Sequence, residues 1–333
     1  MTKIMSRWLV ILAVVIGTAL VLPVMAQSDA GFTIKAQPSA NTINRKQDCF
    51  NLRVKPNQQQ TLTVLITNTD NKIHRIKTTP VSSYTSDNGS LAYKPRVNSS
   101  QTNSDVQFTD LVAGNGQTVE VPAGQTRKVQ FKLAIPNKKI TGMVLGGFQS
   151  EAVDNQSETT TQKGIRINNR YSLLLGATVQ EQSRLPVPQL KLLTVKSQVD
   201  QGIPELVSRF ASPVPILFGE LKINAKIMRV GSNKIIQQVQ SENMTVAPAT
   251  NFNYRFRLNQ RIVTKGKYML VVNATSGATR WQFHQQFRIS KQQVEQLKKG
   301  TNKSSYLKMI TIIVIIMITF VGVAYFLLCN HIY

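Results

Sequence analysis

Acid–base, nucleophilic and metal chemistry all need histidines, cysteines or carboxylates at defined spacings. This chain has 3 His, 2 Cys and 16 Asp plus Glu among 333 residues. His74 sits in a charged turn, His284 in a strand-like stretch and His331 beyond the last apolar run. No HExxH, GxSxG, P-loop or paired-cysteine spacing occurs. Gly142-Met143-Val144-Leu145-Gly146-Gly147 has the small residues of a phosphate loop but neither its lysine nor its helix, and a tight strand bend suits it better. A carboxylate pair of the glycosidase kind is defined by distance in space, so the sequence singles none out. No catalytic residue, metal ligand or cofactor set is therefore named. The expectation is a protein that binds, with a wall-polymer hydrolase carrying an unmarked acid pair as the enzymatic rival.

Aromatic rings are the other side chains that could meet a ligand. Tyr84 and Tyr93 flank the turn Asp87-Asn88-Gly89, which makes them the candidate binding residues, since exposed rings can stack on sugar faces. Trp281 and Phe283 share strand parity with Phe287, so core packing explains them better than a ligand platform.

The elements that must hold these rings read as strands. Leu62, Val64 and Ile66 alternate with threonines, and Val129, Phe131 and Leu133 alternate with Lys128, Gln130 and Lys132. Successive strand side chains face opposite sides, so each segment has one buried and one wet face. The same pattern returns in Leu221–Ile227, in Phe252–Leu258 and in Tyr268–Ala274, with turn signals at Pro122-Ala123-Gly124 and Ser276-Gly277. Many short strands and no convincing amphipathic helix predict an all-β chain of two tandem antiparallel β-sandwich (Ig-like) domains. The polar run EAVDNQSETTTQKG at 151–164 is the expected break, giving domains at 27–155 and 156–290, with Pro186 and Pro188 in a connecting segment inside the second.

The two ends are of another kind. Lys3 and Arg7 precede the apolar run Trp8–Leu22, Pro23 breaks it, and Val24-Met25-Ala26 offers small side chains to a peptidase. Residues 1–26 thus form a secretory signal peptide with cleavage between Ala26 and Gln27, or an uncleaved anchor of the same topology. From Met309 to Leu328 no Lys, Arg, Asp, Glu, Asn or Gln occurs. As a helix these residues cover about 30 Å, the thickness of a bilayer core. Residues 291–308 become a basic juxtamembrane stalk, 309–328 a single-pass transmembrane helix, and 329–333 a short cytoplasmic tail. Lys298, Lys299, Lys303 and Lys308 lie on the external side of this topology, against the positive-inside tendency. The first segment outranks them, because long domains translocate largely regardless of charge.

Formal charge is +24; without Lys3 and Arg7 it is +22. Such a field favours an anionic partner, and outside a cell that means lipid headgroups or wall polymer, with no nucleic acid. Cys49 and Cys329 fall on opposite sides of the membrane, so no disulfide staples the exported body and its hydrophobic cores must suffice. The Asn-x-Ser/Thr triplets, such as those at Asn88 and Asn273, reflect an Asn/Ser/Thr-rich surface.

The stretch Cys49-Phe50-Asn51-Leu52-Arg53-Val54-Lys55-Pro56 with Gln60-Thr61-Leu62-Thr63-Val64 resembles the opening of the WxL-interacting proteins of Gram-positive bacteria. So do Asn88-Gly89-Ser90-Leu91-Ala92-Tyr93, Phe108-Thr109-Asp110-Leu111-Val112 and the Gly142–Gly147 run. Met244-Thr245-Val246-Ala247-Pro248, Lys265-Gly266-Lys267-Tyr268 and the Trp281–Ile289 strand are similar to the family's second domain. The resemblance implies an N-terminal domain that binds peptidoglycan and a membrane-proximal domain that binds host extracellular-matrix or surface proteins. It also implies secreted partners carrying Trp-x-Leu. This chain has no Trp-x-Leu of its own, which makes it the anchor. A free-standing adhesin is the alternative. Two departures are the missing basic tail and Cys49, where an aromatic is usual.

Overall fold

The computed structural model describes residues 30–153, 159–162, 165–168, 171–259 and 262–296, together with Ile312 and Val314. The expected signal peptide and its Ala26/Gln27 junction lie outside the described residues. So do Met309, Leu328 and the apolar run between them, apart from the helical Ile312 and Val314. Among the described residues no helix is long and apolar enough to cross a membrane.

The described chain is all-β. In order, the first sandwich contains β1 (Phe32–Ala36), β2 (Phe50–Arg53), β3 (Gln59–Asn68), β4 (His74–Thr85) and β5 (Leu91–Lys94). The helical turn α1 (Phe108–Leu111), β6 (Gln117–Val121), β7 (Thr126–Ala134) and β8 (Met143–Ala152) follow. The hairpin β9 (Thr159–Gln162) and β10 (Ile165–Asn168) then leads to β11 (Ser172–Gln180). One sheet runs β1-β3-β7 and the other β2-β11-β8-β4-β5, with β6 also on β4. The alternation read from sequence is what closes them: Leu62, Val64 and Ile66 lie beside Val129, Phe131 and Leu133 on the core side of one sheet, leaving Lys128, Gln130 and Lys132 wet. Phe148 is the hub, 4.6 Å from Phe131, 5.6 Å from Phe108 and 5.7 Å from Phe50 between ring centroids.

The glycine run is not a bend. Gly146 lies within β8, where a Cβ would come within 2.3 Å of Phe108 Cβ and 2.4 Å of the Val81 carbonyl oxygen. Its missing side chain is what lets α1 press on the sheet.

β11 lies in the first sandwich. It pairs antiparallel with β8 from Ser172↔Glu151 to Gln180↔Met143, and parallel with β2 from Ala177↔Phe50 to Gln180↔Arg53. The chain therefore leaves this sheet after Ala152 and re-enters it at Ser172. The chain changes sandwich between Gln180 and Lys191, through Pro186 and Pro188, whose missing N–H groups suit a connector. Leu175, Ala177 and Val179 are buried in the first core.

The second sandwich comprises β12 (Lys191–Asp200), β13 (Ile203–Ala211), β14 (Phe218–Arg229), β15 (Ile235–Val246), β16 (Asn251–Arg257), β17 (Gly266–Ser276) and β18 (Thr279–Ile289). Sheet β12-β13-β16 faces sheet β15-β14-β17-β18. Phe210, Ile223, Ile227, Tyr268, Leu270 and Val272 fill the space between, and Trp281 and Phe283 pack against them. At the start of the stalk, Ser290 and Gln293 cap the helical residues 291–296 reciprocally, with Ser290 N–H to Gln293 Oε1 at 2.8 Å and Gln293 N–H to Ser290 Oγ at 3.2 Å.

Candidate binding site at the domain junction

The turn between β4 and β5 is built by its own sequence. Asn88 Oδ1 accepts from the Ser90 N–H at 3.0 Å and Gly89 takes φ +77°, which costs glycine nothing. This hairpin tip does not project into solvent. It docks on the second sandwich: the Thr245 N–H donates to the Gly89 carbonyl at 2.8 Å and the Ala247 N–H to Thr85 Oγ1 at 2.9 Å. Arg255 Nε donates to Asp87 Oδ2 at 2.7 Å and its other end lies 4.0 Å from Glu205.

Two further contacts tie the sandwiches. Thr102 and Thr250 form an antiparallel bridge, with Asn103 N–H to the Ala249 carbonyl at 2.6 Å and Asn251 N–H to the Gln101 carbonyl at 3.0 Å. Beside it the Asn103 and Asn251 carboxamides exchange hydrogen bonds at 2.8 and 2.9 Å. At the third contact the Met143 N–H donates to the Pro215 carbonyl at 2.8 Å; Gly142, at φ +73°, leaves no room there for a Cβ, which would lie 2.2 Å from that oxygen. Ala249 is held at φ +46°, an uncommon conformation for a residue with a Cβ, and the bonds around it fix it there.

Between these ties lies a cleft walled by Ser82, Thr102, Ser104 and Gln107 and floored by Phe108 and Met143. Its enclosed space is about 20 Å³, room for about one water molecule. Clefts that bury a drug-sized ligand are commonly several hundred Å³, so this one suits a water molecule and not such a ligand.

Tyr84 and Tyr93 stand at the edge of this junction. The register pairs Tyr84 with Ala92 and Tyr93 with Ser83, which sends the rings to opposite faces of the β4–β5 ribbon. They do not form one platform. Both are half-buried; the Lys94 ammonium lies 4.6 Å from the Tyr84 ring centroid, and burial pushes the Tyr93 phenol pKa up.

The remaining reactive groups are dispersed. His74 Nε2 lies 3.0 Å from Asp70 Oδ2 at the foot of β4, while His284 is exposed on β18. Among the described residues no three His, Cys, Asp or Glu side chains gather where they could hold a metal ion. Sequence reasoning missed the junction. Its strongest bonds join residues in unpatterned polar segments nearly 150 positions apart. The available signal lay in the resemblance: Asn88–Tyr93, Phe108–Val112, Gly142–Gly147 and Met244–Pro248 all meet at or beside this interface.

The described residues thus form two β-sandwiches bonded to each other, with open sheet faces. Residues 32–152 match the WxL Interacting Protein peptidoglycan binding domain, and residues 162–299 match the host binding domain of the same family. The chain belongs to the WxL Interacting Protein family, and both matched domains assign it a cell-surface binding role. No curated protein matches the sequence. Among solved structures, a chaperone–tip adhesin complex of CFA/I fimbriae biogenesis shares 14% identity over 78% of this chain and 100% of its own, at TM-score 0.31. The class 5 fimbriae chaperone CfaA shares 14% over 77% and 99%, at 0.26. The PapD-like domain 7 of human CEP192 shares 10% over 50% and 94%, also at 0.26. Overlaps this loose say nothing of partners, and the fold rests on the sheets described above.

Proposed function

We propose that this chain is a non-enzymatic, membrane-anchored tether at the cell wall. In this reading the signal peptide exports it, residues 309–328 hold it in the membrane, and the first sandwich binds peptidoglycan. The second sandwich binds host matrix proteins, and the exported body captures secreted proteins that carry Trp-x-Leu. The observation that carries the reading is the order of two binding-domain matches on one chain whose sandwiches are bonded into a single body. Membrane and wall engaged together raise effective concentration, so individually weak contacts hold firmly.

The test uses the full chain in detergent. It should sediment with purified peptidoglycan sacculi and retain a Trp-x-Leu protein of the same bacterium. Changing that partner's tryptophan to alanine should weaken capture about thirtyfold, the effect of losing a buried aromatic anchor worth about 2 kcal/mol. A chain left in the supernatant after the sacculi are pelleted at low salt removes the wall role. Firm adhesion to host matrix without Trp-x-Leu capture makes the chain a free-standing adhesin. On wall-stripped cells, external protease should remove the body and leave a membrane-embedded C-terminal fragment; a protected body overturns the topology.

A further inference from the structure

We propose that the outer face of the β15-β14-β17-β18 sheet is a docking surface for a linear polyanionic glycan of the host matrix, sulfated or carboxylated. The proposal rests on the host-binding reading of the second sandwich and names the chemistry that its largest open face fits.

The register makes the face. Gln240, Asn224, Asn273 and Gln282 lie opposite one another on four successive strands, a carboxamide row across the whole sheet. With strands about 4.8 Å apart the row is about 14 Å long. The Gln238 amide donates to Asn224 Oδ1 at 3.0 Å and holds that side chain in place. Each carboxamide offers two N–H donors and one acceptor, a set that suits sugar hydroxyls as well as sulfate or carboxylate oxygens.

Cations flank the row on the same face. Lys222 lies opposite Thr275, itself opposite Arg280; Lys226 stands one row further along, and Lys267 opposite Arg288 lies at the far end. Only two acids occur in these four strands. Glu242 is 3.6 Å from Lys222, and Glu220 sits at the bulge that opens β14, at φ +51°. Among the described residues, Lys226, Lys267, Arg280 and Arg288 have no acidic partner. The face is thus preset for negative charge.

What it lacks decides against a protein partner. Protein interfaces concentrate their affinity in aromatic and arginine anchors seated in pockets. Every Phe, Tyr and Trp of this sheet points the other way, as Trp281 opposite Ala274, Phe283 opposite Val272 and Phe287 opposite Tyr268 do on the core side, and His284 is the one ring on the outer face. Between its polar rows the outer face carries one short aliphatic row, exposed Ile235 with half-buried Met228 and Met269. Carboxamides and spaced cations on a flat sheet read a polyanionic chain without any pocket.

The experiment measures binding of the full chain in detergent to immobilised heparin, to uncharged dextran and to duplex DNA of matched charge, over a salt series. Heparin should bind better than DNA, and dextran not at all. The Asn224→Leu/Asn273→Leu variant removes hydrogen bonds without altering charge. It should weaken heparin binding about tenfold or more, a difference of about 1.4 kcal/mol, with an unchanged salt slope. Lys226→Gln should flatten the slope, since exposed charges act through a field screened over about 10 Å at 0.1 M. The exposed pair Gln240→Ala/Gln282→Ala gives a second test that leaves the sheet's buried side untouched. Wild-type affinity in both carboxamide variants, each with an unchanged melting midpoint, overturns the proposal, as does DNA binding equal to heparin. Undiminished capture of matrix protein stripped of its glycans overturns the glycan face alone; no binding to any matrix preparation overturns the host-binding reading beneath it.

Discussion

Asn251 is buried and its carboxamide has the exposed Asn103 as reciprocal partner. Replacing Asn103 by Leu keeps the cover and removes the hydrogen bonds. Leaving a buried amide unmatched costs about 1–3 kcal/mol, so urea unfolding should shift by that amount. Replacing both residues by Leu should cost less than the two single changes together, since each removes the same bonds. Gly146 answers to sterics instead. Gly146→Ala puts a Cβ within 2.3 Å of Phe108 and 2.4 Å of the Val81 oxygen, and overpacking of this kind costs about 1–3 kcal/mol. A fall in melting midpoint, with Gly124→Ala at the open turn as a milder reference, checks it.

Asp70 adds a pH dependence. Its carboxylate accepts from the Asn71 N–H and pairs with His74, and these bonds hold its pKa below the ordinary carboxylate value. A group depressed in the folded state stabilises fully above its unfolded pKa, about 4, and loses that contribution as pH falls through the lower native value. Acid unfolding curves of Asp70→Asn and wild type should therefore converge below pH 4 and separate above it. A constant gap at every pH removes this role.

At the level of elements, sequence patterning was a good guide to strands and a poor one to their neighbours. Leu62, Val64 and Ile66, or Tyr268, Leu270 and Val272, declare a buried face through local alternation, and the structure buries them. The polar 151–164 run reads as a linker, yet strands on both sides of it belong to one sheet. Nothing local says that Ala177 will sit beside Phe50. Tyr84 and Tyr93 could be named from sequence as candidate rings, but their opposite orientation is a property of register, and so is the carboxamide row. A fragment ending at residue 155 lacks β11, which separates β2 from β8. It should show weak amide protection and no cooperative melting, whereas one ending at residue 184 should melt cooperatively. Equal cooperativity in both would make β11 dispensable.

The whole molecule is more rigid than two domains on a connector would be. Domains sharing a modest interface move relative to each other by default, but here main-chain bonds at Gly89, Gln101, Asn103 and Met143 cross from one sandwich to the other. Small-angle scattering of the wild-type chain should fit one arrangement. Asp87→Ala combined with Asn103→Ala should broaden the distance distribution while each sandwich keeps its own melting transition. An unchanged distribution would place the rigidity elsewhere.

The parallel pairing of β2 with β11 also sets a timetable for synthesis. A chain leaving the ribosome presents Phe50–Arg53 early, yet the strand that completes its sheet ends at Gln180. Until then β2 and the inner edge of β8 have unmatched main-chain groups, the kind of edge that recruits neighbouring chains. Contacts between residues so far apart in sequence form late and slowly. Slowing translation just before residue 172 should therefore raise aggregation of the first half more than the same pause after residue 180.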